Sequence, residues 1–141
     1  MAVETTPAIV GLSIPCRPEF VSIARLAMLG VASRMQFTYD EVEDIRLAVG
    51  EACTTAVSRA MSANIQNAVI TIRSEILENK LTIEVEDQVG RMPEIPMPAP
   101  PLENLNEENL GSLLMELLVD EFKVEPTSQG GTRVTMVKYA G

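Results

Sequence analysis

Histidine and tryptophan are absent from this sequence, and aromatic residues make up only 4% of it. Histidine is the commonest general base near neutral pH and the commonest metal ligand in proteins. Its absence excludes Ser-His-Asp and Cys-His nucleophilic mechanisms. Any chemistry must therefore come from carboxylates, backbone amides or a bound ligand.

Cysteine is almost as scarce, since Cys16 and Cys53 are the only two and they do not form a CxxC pair. We expect reduced, buried thiols, as in a cytoplasmic protein, and no zinc site. No apolar run reaches the ~20 residues of a membrane span, and the N-terminus lacks the basic start of a secretory signal. The sequence thus predicts a cytoplasmic domain without membrane association.

Negative charge is in excess, with 20 acidic residues against 11 basic ones and a formal net charge of −9. Phosphate contact needs a clustered basic surface, so we expect no nucleic-acid partner. The charge suits a protein partner that offers a basic patch. At 141 residues and 46% hydrophobic content, the chain has the size and composition of one globular domain, which we assign to residues 1–141.

The first predicted elements are a strand over 8–15 and a helix from Pro18 to about Met35. The apolar stripe of this helix is broader than one core face requires. Two interpretations are open: the helix is fully buried, or it has a second contact surface besides the core.

A second helix is predicted to begin after Thr38, because Thr38 and Glu41 fit the S/T-x-x-E capping box. Its apolar residues recur at spacings of three and four over about six turns. The small residues at its later end would allow a close approach to a sheet; they are Ala52, Ala56 and Ala60.

Two hairpins and a third helix complete the order of elements. The hairpins are predicted over 68–77 with 81–87 and over 121–126 with 131–139, and the helix over 107–120. Helices combined with an antiparallel or mixed sheet give an α+β two-layer sandwich.

Asp87 continues the apolar face of the predicted strand 81–87, because alternation places it on the side of Leu81, Ile83 and Val85. Burying an unpaired carboxylate is expensive. Either the strand end is already open to solvent, or Asp87 forms the floor of a pocket and accepts a hydrogen bond from a ligand.

Residues 90–106 are predicted to be irregular, because five of the nine prolines lie between Pro93 and Pro101. A connection of this length inside a small domain is usually a functional lid or a disordered linker. We interpret it as a lid.

Three stretches carry a resemblance to a known family: 31–35 (VASRM), 39–45 (YDEVEDI) and 51–57 (EACTTAV). They resemble the bacterial anti-sigma factor serine-protein kinases of the stress-response and sporulation type, which belong to the GHKL superfamily. The similarity covers nearly the whole chain. It implies the GHKL ATPase fold, with helices on one face of a mixed, mostly antiparallel sheet, and it implies a homodimer formed through the first helix region.

The resemblance also implies a catalytic helix with Glu and, four residues on, Asn. In the family this Asn holds Mg²⁺ and the Glu is the base for the attacking hydroxyl. Glu51 matches, but Thr55 stands at the position of the Asn. A threonine hydroxyl is a weaker ligand for a hard cation than an amide carbonyl.

The nucleotide motifs of the family are matched only in part. Asp87 stands where an Asp reads the adenine amino group, but Val89 replaces the glycine of D-x-G and Gly90 comes one residue later. The later glycine-rich phosphate motif is reduced to Gly111, while the Gly131-Thr132 element is retained.

The lid offers only Arg91 to a phosphate, and four carboxylates lie on it or just beyond it (Glu94, Glu103, Glu107 and Glu108). An acidic lid would repel a triphosphate. The residues that the resemblance implies for ATP are Asp87, Gly90, Arg91, Gly111 and Thr132, with Mg²⁺ at Thr55.

The resemblance, with these departures from it, therefore predicts an anti-sigma-type regulator that binds a sigma factor, an antagonist protein or both, with weak or absent ATP binding. The alternative is an active serine-protein kinase that phosphorylates the antagonist, with Glu51 as base. A third possibility is a dimeric scaffold of this fold in another pathway.

Overall fold

Five strands form one sheet in the computed structural model, which describes residues 6–89 and 107–141. In chain order the strands are β1 (Ala8–Pro15), β2 (Val69–Leu77), β3 (Lys80–Asp87), β4 (Glu121–Pro126) and β5 (Thr132–Tyr139). Their order in the sheet is β1-β2-β3-β5-β4, and all four pairings between these described strands are antiparallel. The two-layer prediction is confirmed, and the parallel component allowed by a mixed sheet is not found among them.

Three helices among the described residues form the second layer. They are α1 (Val21–Ala32), α2 (Tyr39–Ser62) and α3 (Glu107–Leu118), and a 3₁₀ turn over Pro18–Phe20 precedes α1. The capping box that the sequence predicted is present. Thr38 Oγ1 accepts a hydrogen bond from Glu41 N at 3.2 Å, and Glu41 Oε1 accepts one from Thr38 N at 2.8 Å. No helix in the described part of the chain is long and apolar enough to cross a membrane.

The core lies between the sheet and the helices. Along β3 the buried residues alternate with half-buried ones, and the alternation ends on Asp87, which is 3% exposed. The three small residues near the end of α2, Ala52, Ala56 and Ala60, are at most 3% exposed. The other face of the sheet is charged: Arg73 lies 3.4–3.5 Å from Glu75 and Glu84, and Arg133 forms ion pairs with Glu84 as well and with two more strand carboxylates.

The first helix is not fully buried, so that interpretation of its broad stripe is wrong. Ala24 and Met28 lie in the core, whereas Ile23 is 43% and Leu26 is 66% exposed. The helix also ends at Ala32, three residues before the predicted end. The apolar outer face of α1 is available to a second contact, which stays a prediction.

Helix α3 is held at its C-terminal end by Lys138. The ammonium of Lys138 donates to the carbonyl oxygen of Leu118 at 2.9 Å and lies 3.8 Å from Asp44 Oδ2 on α2. A cation is stabilising where the last carbonyls of a helix lack partners. This contact fixes α3 relative to α2 and β5.

Gly131 brings the turn between β4 and β5 against the end of β3. A Cβ atom on Gly131 would overlap the carbonyl oxygen of Asp87, and it would lie 2.8 Å from the Asp87 carbonyl carbon. Gly30 is exposed on α1, and a Cβ atom there would meet no heavy atom within 4 Å. Replacing each glycine by alanine therefore compares a position without room for a Cβ atom with one that has room.

We expect Gly131→Ala to lower the free energy of unfolding by about 3 kcal/mol, because the overlap is with backbone that cannot turn away. Gly30→Ala should raise it by roughly 0.5–1 kcal/mol, because alanine loses less conformational entropy than glycine in a helix. Urea unfolding of both variants measures the two changes. Changes of the same sign would contradict the close approach at Gly131.

Both cysteine thiols are buried, as the sequence predicted. Burial raises the pKa of the Cys53 thiol from its ordinary value near 9 to about 12, and burial also raises the pKa of Cys16. Between these two pH values the unfolded chain loses the Cys53 proton while the folded chain retains it. Folding must then return a proton to Cys53, and the free energy that this costs grows with pH.

The free energy of unfolding should therefore fall as pH rises from about 9 towards about 12, with a contribution from Cys53 of at most ~1.4 kcal/mol per pH unit. Urea unfolding under reducing conditions, repeated across this range, measures the slope. Cys53→Ala should show a shallower slope than the unmodified chain. Parallel slopes would show that Cys53 ionises as readily in the folded state as in the unfolded one.

Candidate functional site

A buried ion pair lies where β3 ends. The guanidinium of Arg59, on α2, donates from Nη2 to Asp87 Oδ2 at 2.9 Å and from Nη1 to Asp87 Oδ1 at 3.3 Å. The Asp87 side chain is 3% exposed and that of Arg59 is 18% exposed. Two parallel bonds of this kind are the geometry that an arginine offers to a carboxylate. The strand end is therefore closed, and the interpretation of Asp87 as open to solvent is wrong.

The same guanidinium reaches two further acceptors. Arg59 Nη1 donates to Thr132 Oγ1 at 3.0 Å and, more weakly, to the carbonyl oxygen of Val89 at 3.4 Å. Asp87 Oδ1 also accepts from the backbone N–H of Val89 at 2.9 Å. Thr132 and Val89 are each 2% exposed. Arg59 thus joins α2, the end of β3 and the start of β5 through polar groups that have little contact with water.

The register of the sheet explains why these groups meet. Asp87 is the last residue of β3. It pairs with Thr132 on β5 and with Ile70 on β2, its two neighbouring strands in the sheet. Two of the predicted nucleotide residues, Asp87 and Thr132, are therefore neighbours. The backbone approach at Gly131 keeps them close.

Glu51, Thr55 and Arg59 follow one another on α2 at intervals of four residues, which places them on one face of the helix. The hydroxyl of Thr55 donates to the carbonyl oxygen of Glu51 at 2.9 Å, within the helix itself. A threonine in a helix commonly donates in this way to the carbonyl oxygen four residues before it. At the position where the resemblance implies a metal ligand, the hydroxyl proton is thus donated to the helix backbone.

The structure also brings Glu51 and Gly111 together. A Cβ atom on Gly111 would overlap Oε1 of Glu51 and lie 3.3 Å from its carboxyl carbon. The carboxylate that the resemblance makes the catalytic base therefore packs against the backbone of α3. Gly111 is the residue that leaves room for it.

The described residues do not fit a Mg²⁺–ATP complex held as the resemblance implies. The Asp87 carboxylate is bonded to Arg59, and Thr55 offers a cation one hydroxyl oxygen where the resemblance implies an amide oxygen. Among residues 6–89 and 107–141 no group of three or more His, Cys, Asp or Glu side chains could hold a metal ion.

Several predicted positions lie outside the described residues. These are Gly90 and Arg91, the whole lid over 90–106 with Glu94 and Glu103, and the side chains of Glu107 and Glu108. The predictions made for them stay predictions.

Arg59 is the residue that sequence reasoning missed. Two signals could have found it: a buried Asp87 requires a cation, and Arg59 lies four residues beyond Thr55 on the same face of α2. Neither signal identifies the partner without the fold, because Arg59 and Asp87 are 28 residues apart in sequence.

Comparisons with known proteins agree with this architecture. The family model described as "Histidine kinase-like ATPase domain" matches residues 14–138. A solved structure of the RsbU and RsbW domains of Rv1364c from Mycobacterium tuberculosis superposes with a TM-score of 0.69 at 15% identity, over 94% of this chain and 32% of that one. The predicted GHKL-type fold is confirmed.

Curated relatives are similar over nearly their whole length. The serine-protein kinase RsbW of Bacillus subtilis is 39% identical over 137 residues, covering 91% of this chain and 83% of that protein. The serine-protein kinase RsbW of Bacillus velezensis is 38% identical over 145 residues, covering 96% and 88%. This chain therefore belongs to the RsbW family of serine-protein kinases, within the histidine kinase-like ATPase domains.

Proposed function

We propose that this chain is an anti-sigma-factor-type regulator, which binds a sigma factor and an antagonist protein in the cytoplasm and whose ATP binding is weakened or lost. The observation that supports this most directly is the bonding of Asp87 to Arg59. In a nucleotide-dependent member of the family this carboxylate would be open to the base. Here it is already paired.

The catalytic side of the site supports the same proposal. Phosphoryl transfer depends almost entirely on positioning and on stabilisation by metal and charge. Thr55 has no amide oxygen to offer a metal, and its hydroxyl proton is engaged by the backbone of Glu51. Glu51 alone does not supply what the reaction needs.

Apolar surface supports the part of the proposal that concerns partners. On α1, Ile23 and Leu26 are 43% and 66% exposed, and on α3, Leu114 and Leu117 are 42% and 82% exposed. We propose that the α1 face forms a homodimer, as the resemblance implies. The net charge of −9 suits basic surfaces on the protein partners.

A second candidate function is the active kinase, favoured by the retained Glu51 and by the names of the relatives. It requires Asp87 to leave Arg59, and it requires Mg²⁺ to be held by the lone Thr55 hydroxyl oxygen or by a water molecule in its place. The two functions differ in whether nucleotide changes partner binding.

We expect the protein to bind its cognate sigma factor without nucleotide, and saturating Mg²⁺–ATP to change that dissociation constant by less than about threefold. A ligand that does not enter the site cannot shift a binding equilibrium. Glu51→Ala should bind the sigma factor as the unmodified chain does. Calorimetric titration of the purified sigma factor measures these constants.

A parallel incubation with labelled ATP and the cognate antagonist provides the control. Phosphate transfer to the antagonist that is lost in Glu51→Ala would establish the kinase instead. Absence of binding to both the sigma factor and the antagonist would leave the dimeric scaffold as the function of this fold.

A further inference from the structure

We propose that Arg59 blocks base recognition at Asp87. Its guanidinium donates to the carboxylate oxygens to which the amino group of an adenine base would otherwise donate. This inference rests on the proposed loss of nucleotide binding and goes further, because it assigns that loss to one side chain. It makes Arg59 a specificity-determining residue.

An adenine base and the Arg59 guanidinium would compete for the same carboxylate oxygens. A carboxylate has two oxygens and accepts hydrogen bonds along about four lone-pair directions. Asp87 Oδ2 accepts from Arg59 Nη2 at 2.9 Å, and Oδ1 accepts from Arg59 Nη1 and from Val89 N. An exocyclic amino group is the same kind of N–H donor. Because three of these directions are already filled and Asp87 is only 3% exposed, the base would compete with the guanidinium for the same oxygens.

Arg59 also donates to the other hydrogen-bond acceptors around the carboxylate. Thr132 Oγ1 and the Val89 carbonyl oxygen both lie within 3.4 Å of Nη1. Asp87, Thr132 and Val89 are all at most 3% exposed. An incoming base would have to replace bonds to three residues and not to one.

The bond from Arg59 to Asp87 is also stronger than a bond from a base would be. A guanidinium–carboxylate bond joins two charges, and such bonds are about twice as strong as bonds between neutral groups. The amino group of adenine is neutral, and a free nucleotide also loses translational and rotational freedom on binding. Arg59 loses neither, because it is part of the chain. The internal ion pair therefore outcompetes the base.

Shortening Arg59 should convert this site back to one that recognises adenine. In Arg59→Ala the Asp87 carboxylate loses both guanidinium donors, and the space around it opens. In Arg59→Gln a single amide remains, which cannot form the two parallel bonds. Both variants should bind ADP at least about tenfold more tightly than the unmodified chain, with Arg59→Ala showing the larger gain.

The test is a calorimetric titration with ADP in the presence of a chelator, so that the metal position at Thr55 does not enter. Arg46→Gln is the matched control, because Arg46 is another arginine of α2 and pairs with Glu43 on the surface at 2.6 Å. This control should bind ADP no better than the unmodified chain. Circular dichroism establishes that each variant is folded.

Inosine diphosphate is the matched ligand control. It carries a carbonyl oxygen where ADP carries the amino group, so it cannot donate to Asp87 there. The gain in Arg59→Ala and Arg59→Gln should be seen with ADP and not with inosine diphosphate. An equal gain for both nucleotides would overturn the inference, because it would mean that the substitution merely opens a cavity.

The remaining outcomes separate this inference from the proposed function. If the unmodified chain already binds ADP at micromolar concentration, both fail. If it does not, and folded variants gain nothing, only the role of Arg59 fails. Should neither variant fold, guanidinium nitrogen resonances of Arg59 in the unmodified chain decide: we expect them to be unmoved by millimolar ADP, and a shift would overturn the inference.

Discussion

The ion pair between Arg59 and Asp87 is the interaction on which the site depends. A carboxylate that is 3% exposed is stable in this fold only if cationic or N–H donors reach it. Arg59 and the backbone N–H of Val89 are such donors, and Arg59 also reaches β5 through Thr132. Removing one partner of such a pair typically costs about 3–5 kcal/mol, because the other charge is left buried.

Around this pair, the remaining site residues also contact one another. Thr55 is bonded to Glu51 along α2, and the Glu51 carboxylate lies against Gly111 of α3. The ATPase fold is thus retained while two polar side chains of its site, Asp87 and Thr55, are hydrogen-bonded within the chain. Such an arrangement favours a role in binding proteins through surfaces that include the exposed apolar residues of α1 and α3.

The local features of the fold could be predicted from the sequence, because each depends on a few neighbouring residues. The capping box at Thr38 and Glu41 and the inward direction of Asp87 are examples. Periodicity could not decide whether the outer face of α1 is covered, because a broad apolar stripe has the same spacing in both cases. Arg59 was missed for a related reason: its pairing with Asp87 arises from the packing of α2 on the sheet, which no local pattern contains.

The central claim is that Arg59, and not a nucleotide, occupies the recognition carboxylate. A crystal structure of the unmodified protein grown with Mg²⁺ and saturating ADP tests it most directly. We predict electron density for the Arg59 guanidinium beside both oxygens of Asp87 and no ordered base next to them. An adenine amino group within hydrogen-bonding distance of Asp87, with Arg59 turned away, would contradict it.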